Sequence, residues 1–99
     1  MIELERIVGF DWDAGNARKN EKHGVSQSEA EQIFFDPHLL VAPDSGHSAG
    51  ESRFHALGLT IDGRPLHVTF TLRANETRIR VISARDMHRR ERSFYDRKD

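Results

Sequence analysis

Two apolar stretches, FHALGLTI (54–61) and PLHVTFTLR (65–73), stand on either side of Asp62-Gly63. That dipeptide is strongly favoured in two-residue hairpin turns, so the pair reads as an antiparallel hairpin. A two-residue turn would pair Ile61 with Arg64, and therefore Leu59 with Leu66, Leu57 with Val68 and His55 with Phe70. The next stretch, RIRVISA (78–84), returns across a four-residue loop, 74–77, pairing Leu72 with Ile79, Phe70 with Val81 and Val68 with Ser83. One face of this three-stranded sheet is then continuous and aliphatic. By alternation the opposite face carries Phe54, Ala56 and Gly58, then His67, Thr69, Thr71 and Arg73, then Arg78, Arg80 and Ile82.

The first half of the chain reads as a strand and two helices. VGFDWD (8–13) alternates well enough for a short strand, and Asp13 is placed to cap a helix from Ala14. That helix offers only Ala14 and Ala17 as apolar residues, which predicts an exposed or ligand-facing element ending at Gly24. In VSQSEA, Ser26 and Glu29 form a capping box and Val25 is placed to staple onto Ala30. This second helix presents Ala30, Ile33 and Phe34 on one side and stops before Pro37. HLLVAP (38–43) predicts an edge strand, and DSGHSAGE (44–51) a mobile polar loop. A last helix is expected from an Asp86 cap, docking through Met87 and Phe94 with Tyr95 pointing elsewhere. The expectation is an α+β fold, a small antiparallel sheet with helices on one face, in the order β-α-α-β-β-β-β-α.

Ninety-nine residues with 36% hydrophobic and 31% charged composition suit one domain, 1–99, with one modest core. The absence of cysteine excludes disulfides and thiolate chemistry. Six histidines show no ligand spacing, so neither a metal nor another cofactor is expected. No apolar run is long enough to cross a bilayer, and MIELER lacks the order of a secretory signal, so a cytoplasmic protein without membrane association is expected. The formal net charge of -1 hides an asymmetry. Residues 1–77 hold seven lysines and arginines against twelve acidic residues, whereas 78–99 hold eight against four. Such a split suits a surface for phosphates, and equally one for an acidic protein.

The polar sheet face gathers the chemistry. Guanidinium groups bind phosphate by forked, charge-assisted hydrogen bonds, so Arg73, Arg78 and Arg80 with His67 make RNA a natural ligand, although basic residues also simply solvate a sheet. Arg73 opposite Arg78 is unfavourable unless an anion lies between them. Lys22 and His23 give a cation and a titratable imidazole at a helix end, where capping alone would also explain them. Glu51 and Arg53 add a carboxylate and a guanidinium at the sheet entry, a pairing that is more often structural.

Together FDWDAGN, KHGVS, EAEQIFFDP, ESRFHALG, GRPLHVTFTLR and IRVISARDMHRRER, followed by Tyr95, resemble the BrnT-type toxins of type II toxin-antitoxin systems. KHGVS followed at this distance by RVISARDM carries most of the specificity. The resemblance implies a ribonuclease with a RelE-like fold, inhibited by a cognate antitoxin whose DNA-binding part is a ribbon-helix-helix domain, with DNA reached only through that antitoxin. It carries roles over to Lys22, His23, Glu51, Arg53, Arg80, Arg85 and Tyr95. Two positions depart from it: Asn16 stands where many relatives have lysine, and Gln27 where many have phenylalanine.

Residues and resemblance together give Lys22, His23, Glu51, Arg53 and Arg80 as the expected catalytic set, and His67, Arg73, Arg78, Arg85 and Tyr95 as RNA-binding. The expected reaction is metal-independent cleavage through the RNA 2′-hydroxyl, with His23 or Glu51 as base. The competing expectation is a binding module without catalysis, acting through the basic face and the last helix.

Overall fold

The computed structural model describes residues 3–44 and 50–97; most of the expected mobile loop, residues 45–49, is outside the described residues. After a 3-10 turn at Leu4–Arg6 come β1 (Gly9–Phe10), α1 (Ala14–Glu21), α2 (Gln27–Gln32), a 3-10 turn at Ile33–Phe35, β2 (Leu40–Pro43), β3 (Phe54–Leu59), β4 (Pro65–Arg73), β5 (Arg78–Asp86) and α3 (Arg89–Asp96). The chain folds as an α+β structure around one five-stranded sheet, in the order β1-β5-β4-β3-β2.

The sheet is mixed, which corrects the expectation of a purely antiparallel one. β1 runs parallel to β5, with Gly9 opposite Arg78 and Phe10 opposite Ile79. It is only two residues long because Asp13 already caps α1, accepting from Gly15 N at 2.9 Å and Asn16 N at 3.3 Å. Beyond β1 the exposed edge of β5 is taken over by a side chain. Asn16 is buried and donates through Nδ2 to the carbonyls of Asp11 and Val81, both at 2.9 Å. This satisfies a carbonyl that would otherwise lack a ladder partner.

The hairpin differs from the expected one by a single residue. Ile61, Asp62 and Gly63 form a three-residue loop: Gly63 N donates to Thr60 O at 2.9 Å, Thr60 N donates to Arg64 O at 3.0 Å, and Gly63 takes a φ of +87°. This is the type I turn with a glycine bulge, the second common hairpin solution. The register becomes Phe54–Phe70, His55–Thr69, Ala56–Val68, Leu57–His67 and Gly58–Leu66. A slip of one exchanges the faces of β3, so Ala56 and Gly58 enter the core while His55 and Leu57 join the polar face. Between β4 and β5 the expected pairs Leu72–Ile79 and Phe70–Val81 are present. A bulge then inserts Ile82, so Val68 faces Ala84 instead of Ser83.

The core lies between the sheet and α2 with its following 3-10 turn. Val25, Ala30 and Ile33 pack on Ala56, Leu66, Val68, Phe70, Ile79, Val81 and Ala84. Phe34 meets Phe70 edge to face at 5.0 Å, and Phe54 stacks on Phe70 at 5.5 Å. Each fully buried aliphatic side chain of this kind contributes about 1.5–3 kcal/mol. The capping box forms as the sequence predicts, with Glu29 N donating to Ser26 Oγ and Ser26 N donating to Glu29 Oε1, both at 3.0 Å.

The last helix begins at Arg89 with His88 as cap, not at Asp86, which still belongs to β5. Its packing also reverses expectation: Tyr95 is buried and Phe94 is 57% exposed. Asp36 explains the reversal, since its Oδ2 accepts both the Tyr95 hydroxyl and Leu59 N, drawing that side of α3 inward.

Candidate functional site

The face of the sheet away from α2 carries the polar side chains, arranged in rows by the observed register. At one end Glu51 accepts an ion-paired hydrogen bond from Arg73 Nη1, and Arg73 stands opposite Arg78. A carboxylate of the chain itself thus neutralises one of the two facing arginines. The next row pairs Thr71 with Arg80. Thr71 Oγ1 donates to Ser52 O at 2.6 Å, which fixes the segment carrying Glu51 and Arg53 against β4. Arg53 immediately precedes β3 and makes no side-chain ion pair with a described residue.

Arg80 is held from the α1 side. Its Nη1 lies 3.1 Å from Asp13 Oδ2 and 3.5 Å from Asp11 Oδ1. The Asp13 hydrogen bond is the main reason the guanidinium is held more firmly charged than usual. Reciprocally, the Arg80 hydrogen bond is the first cause of the lowered Asp13 carboxyl, followed by the Asn16 backbone bond. The third row pairs His55 with Thr69, His55 Nδ1 lying 3.1 Å from Thr69 Oγ1. Its Nε2 is 3.2 Å from Asp44 Oδ2. Sequence reasoning missed this histidine and carboxylate because the two-residue turn sent His55 to the core. The signal that finds them is Thr60, whose hydroxyl accepts from Arg64 N at 3.0 Å and helps close the longer loop.

The fourth row is Leu57–His67–Arg85. His67 and His55 rings approach to 5.0 Å. Burial first, then the charge of Arg85, pushes the His67 imidazole down to about 4, so it is neutral at ordinary pH. Its Nδ1 is buried without a hydrogen-bond partner among the described residues. Arg85 forms a fork with Glu91, at 2.8 and 2.9 Å, and this pairing above all pulls the carboxyl down to about 2 against the cost of burial.

The expected site residues therefore fall into three places. Glu51, Arg53, Arg73, Arg78 and Arg80 come together at one end of the face, and His67 with Arg85 lies further along it. Lys22 and His23 are exposed in the turn after α1. Gly24 O beside them accepts from Arg64 Nη1 at 3.0 Å, and Arg64 also binds Asp86 and Glu29. That staple sits at the opposite end of β4 from Arg73, nine residue steps or roughly 30 Å along an extended strand. Tyr95 is withdrawn from the face, its hydroxyl donating to Asp36. Burial first and the Asp36 carboxylate second push the phenol above its usual range. Burial opposes ionisation of Asp36, but the Tyr95 hydroxyl, His38 N and Leu59 N hold that carboxyl below its usual value.

Among the described residues no group of three or more histidine and carboxylate side chains is placed to hold a metal ion. No helix there is long and apolar enough to cross a membrane. What the face offers is neighbouring guanidinium groups, hydroxyls, a histidine with a carboxylate and, in Arg53, a cation without an ion pair among the described residues, the donor set for a phosphodiester. No curated protein matches the chain in sequence. A family model, described as the ribonuclease toxin BrnT of type II toxin-antitoxin systems, matches residues 12–91. That span runs from Trp12 beside the capped start of α1 through four of the five strands, β2 to β5, to Glu91, and the chain belongs to the BrnT family of ribonuclease toxins.

Proposed function

We propose that this toxin cuts RNA on the polar sheet face by attack of a 2′-hydroxyl on the adjacent phosphorus, without a metal. The fold is taken as RelE-like and the reaction as cytoplasmic. The observation that carries the reading is the gathering of Glu51, Arg53, Arg73 and Arg80 with the Asp44–His55 pair on one face. Of the two bases expected from sequence, Glu51 stands among the phosphate-binding cations and His23 does not, so Glu51 is assigned as the base that removes the 2′ proton.

The alkoxide forms a bond to phosphorus while the bond to the 5′ oxygen breaks, leaving a 2′,3′-cyclic phosphate. Arg53, unpaired among the described residues, and Arg80, fixed by Asp13, stabilise the charge that builds on the equatorial oxygens. Each such preorganised donor is worth on the order of 3 kcal/mol. His55, oriented through Nε2 by Asp44, exchanges Thr69 Oγ1 for the leaving oxygen and gives it the Nδ1 proton, while Glu51 keeps the 2′ proton until solvent takes it. Matched acid-base transfer adds about 100- to 10,000-fold. Arg73 holds Glu51 in place, and Arg78 holds a flanking phosphate, whereas Lys22, at the far end of β4, meets RNA only well along the strand. The cognate inhibitor is taken as a ribbon-helix-helix antitoxin, with DNA engaged only through it.

The test is incubation of the purified chain with RNA in EDTA, followed by analysis of the ends. Cleavage leaving 2′,3′-cyclic phosphate, lost in Glu51→Gln, supports the scheme. An absolute magnesium requirement, or RNA retarded in a gel but left intact, returns the chain to a metal-dependent enzyme or a binding module respectively.

A further inference from the structure

Beyond the phosphate-binding rows the polar face deepens into an open groove of about 630 Å³ between β2, β3, β4, β5 and α3. Its walls are unlike the rest of the face. Leu40 and Leu57 make an apolar floor, the His55 and His67 rings lie side by side on it, and Phe94 of α3 leans over it while remaining 57% exposed. Arg85, fixed by Glu91, closes one side.

We propose that this groove binds the nucleobase of a nucleotide flanking the scissile phosphate, and that it sets the base preference of cleavage. The inference rests on the ribonuclease reading of the same face. Position favours RNA as occupant, because the groove continues the rows that hold the phosphodiester. From Thr71 in the Arg80 row to His67 is four residues of β4, roughly 13 Å, with the His55–Thr69 row between them. A chain anchored by its phosphate at Arg80 thus directs its neighbouring base over the two imidazoles. The chemistry also favours a base over a second phosphate. The ring of His67 is uncharged, and with the His55 ring, Leu40, Leu57 and Phe94 it gives the groove flat, largely apolar walls in which the Arg85 guanidinium is already paired with Glu91. Flat rings with one or two polar edges suit such a surface, and single-stranded nucleic acids are held elsewhere by this kind of stacking.

The experiment titrates the protein with the four nucleoside 3′-monophosphates, ribose 5-phosphate and inorganic phosphate, following His67 and Phe94 ring resonances by NMR. At least one nucleotide should shift those rings and bind more tightly than ribose 5-phosphate. Phe94→Ala should cut that nucleotide's affinity by about 5- to 150-fold, the span that base–aromatic stacking covers. Phe94→Trp should restore it, and inorganic phosphate should bind both variants like the parent. Equal binding of nucleotides and ribose 5-phosphate overturns the proposal. So do groove signals that answer only to an added antitoxin, which would make the groove a protein-docking surface. Sequencing of cleavage ends separates this inference from the reading beneath it. RNA cut by Phe94→Ala with the parent's base preference removes the groove and leaves the ribonuclease. Nucleotides seated in the groove of a chain that cuts no RNA do the reverse.

Discussion

Asp13 Oδ1 accepts from Gly15 N at 2.9 Å and from Arg80 Nη2 at 3.1 Å, so one carboxylate both starts α1 and fixes a guanidinium of the RNA face. The two roles separate on substitution. Asp13→Asn keeps an oxygen for the cap but drops the charge, leaving Arg80 to Asp11 at 3.5 Å. Thermal unfolding should change little, while binding to a 2′-deoxy-substituted RNA should tighten and become steeper in salt by up to about 0.7 in log–log slope. Asp13→Ala should lower the melting temperature as well. Salt dependence identical to the parent in both variants would show that Arg80 does not meet phosphate.

Gly58 is where the slipped register becomes a steric requirement. A Cβ there would lie 3.0 Å from Ile33 Cβ and 3.1 Å from both Ile33 O and Leu39 Cδ1. The backbone of the 3-10 turn cannot withdraw without disturbing Ile33, which is fully buried. Gly58→Ala should therefore destabilise by about 1–3 kcal/mol, read as a lower urea midpoint with unchanged slope. A neutral result would mean that Ile33 and Leu39 repack freely.

Local signals were legible in the sequence wherever they depend on few residues. The Asp13 cap, the Ser26–Glu29 box, the left-handed Gly24 with φ +68° and the Arg73–Arg78 end of the β4–β5 hairpin all follow from residue type and spacing, although α1 itself ends at Glu21, before Lys22 and His23. The misreadings arise where two local solutions differ little in energy and a tertiary contact decides. Asp62-Gly63 suits both a two- and a three-residue loop, and packing of Ala56 and Gly58 under Ile33 selects the latter. From that choice follows the placement of His55, and with it half of the candidate site. Tyr95 and Phe94 exchanged roles for a similar reason, since Asp36, distant in sequence, decides which of them turns inward.

Two groups make the fold sensitive to acid in separate windows. His67 sits near 4 in the folded chain against an ordinary 6.5, so the unfolded chain binds the extra proton between those values and stability falls as pH drops from about 6.5 to 4. Glu91 sits near 2 against 4.5, so its contribution is complete above about 5 and disappears as pH falls through 2. His67→Phe should flatten the melting temperature between pH 6.5 and 4. Glu91→Gln should cost on the order of 1 to 2 kcal/mol at pH 7, with the gap to the parent closing towards pH 2. Parallel melting curves for His67→Phe and the parent across pH 4 to 6.5 would contradict the buried, neutral imidazole.

The arginines of RIRVISARDMHRRER divide into two populations by what they touch. Arg80 is fixed by Asp11 and Asp13 on the face that carries Arg53, whereas Arg89 and Arg90 are exposed on α3 and Arg92 pairs, among the described residues, only with Asp96 one turn on, at 3.3 Å. Groups aimed at the reacting phosphate should act on turnover, and groups that merely meet the strand should act on affinity. Arg53→Ala and Arg80→Ala should each lower kcat by about 100- to 1,000-fold, a larger loss than either causes in binding. Joint replacement of Arg89, Arg90 and Arg92 by Ala should leave kcat near the parent's, weaken RNA binding and shallow its salt dependence by up to about 0.7 per arginine. Single-turnover rates at saturating RNA, measured beside affinities over a salt series, separate the two effects. Equal losses of kcat from the strand and helix substitutions would place the reacting phosphate across both elements instead of on the sheet face alone.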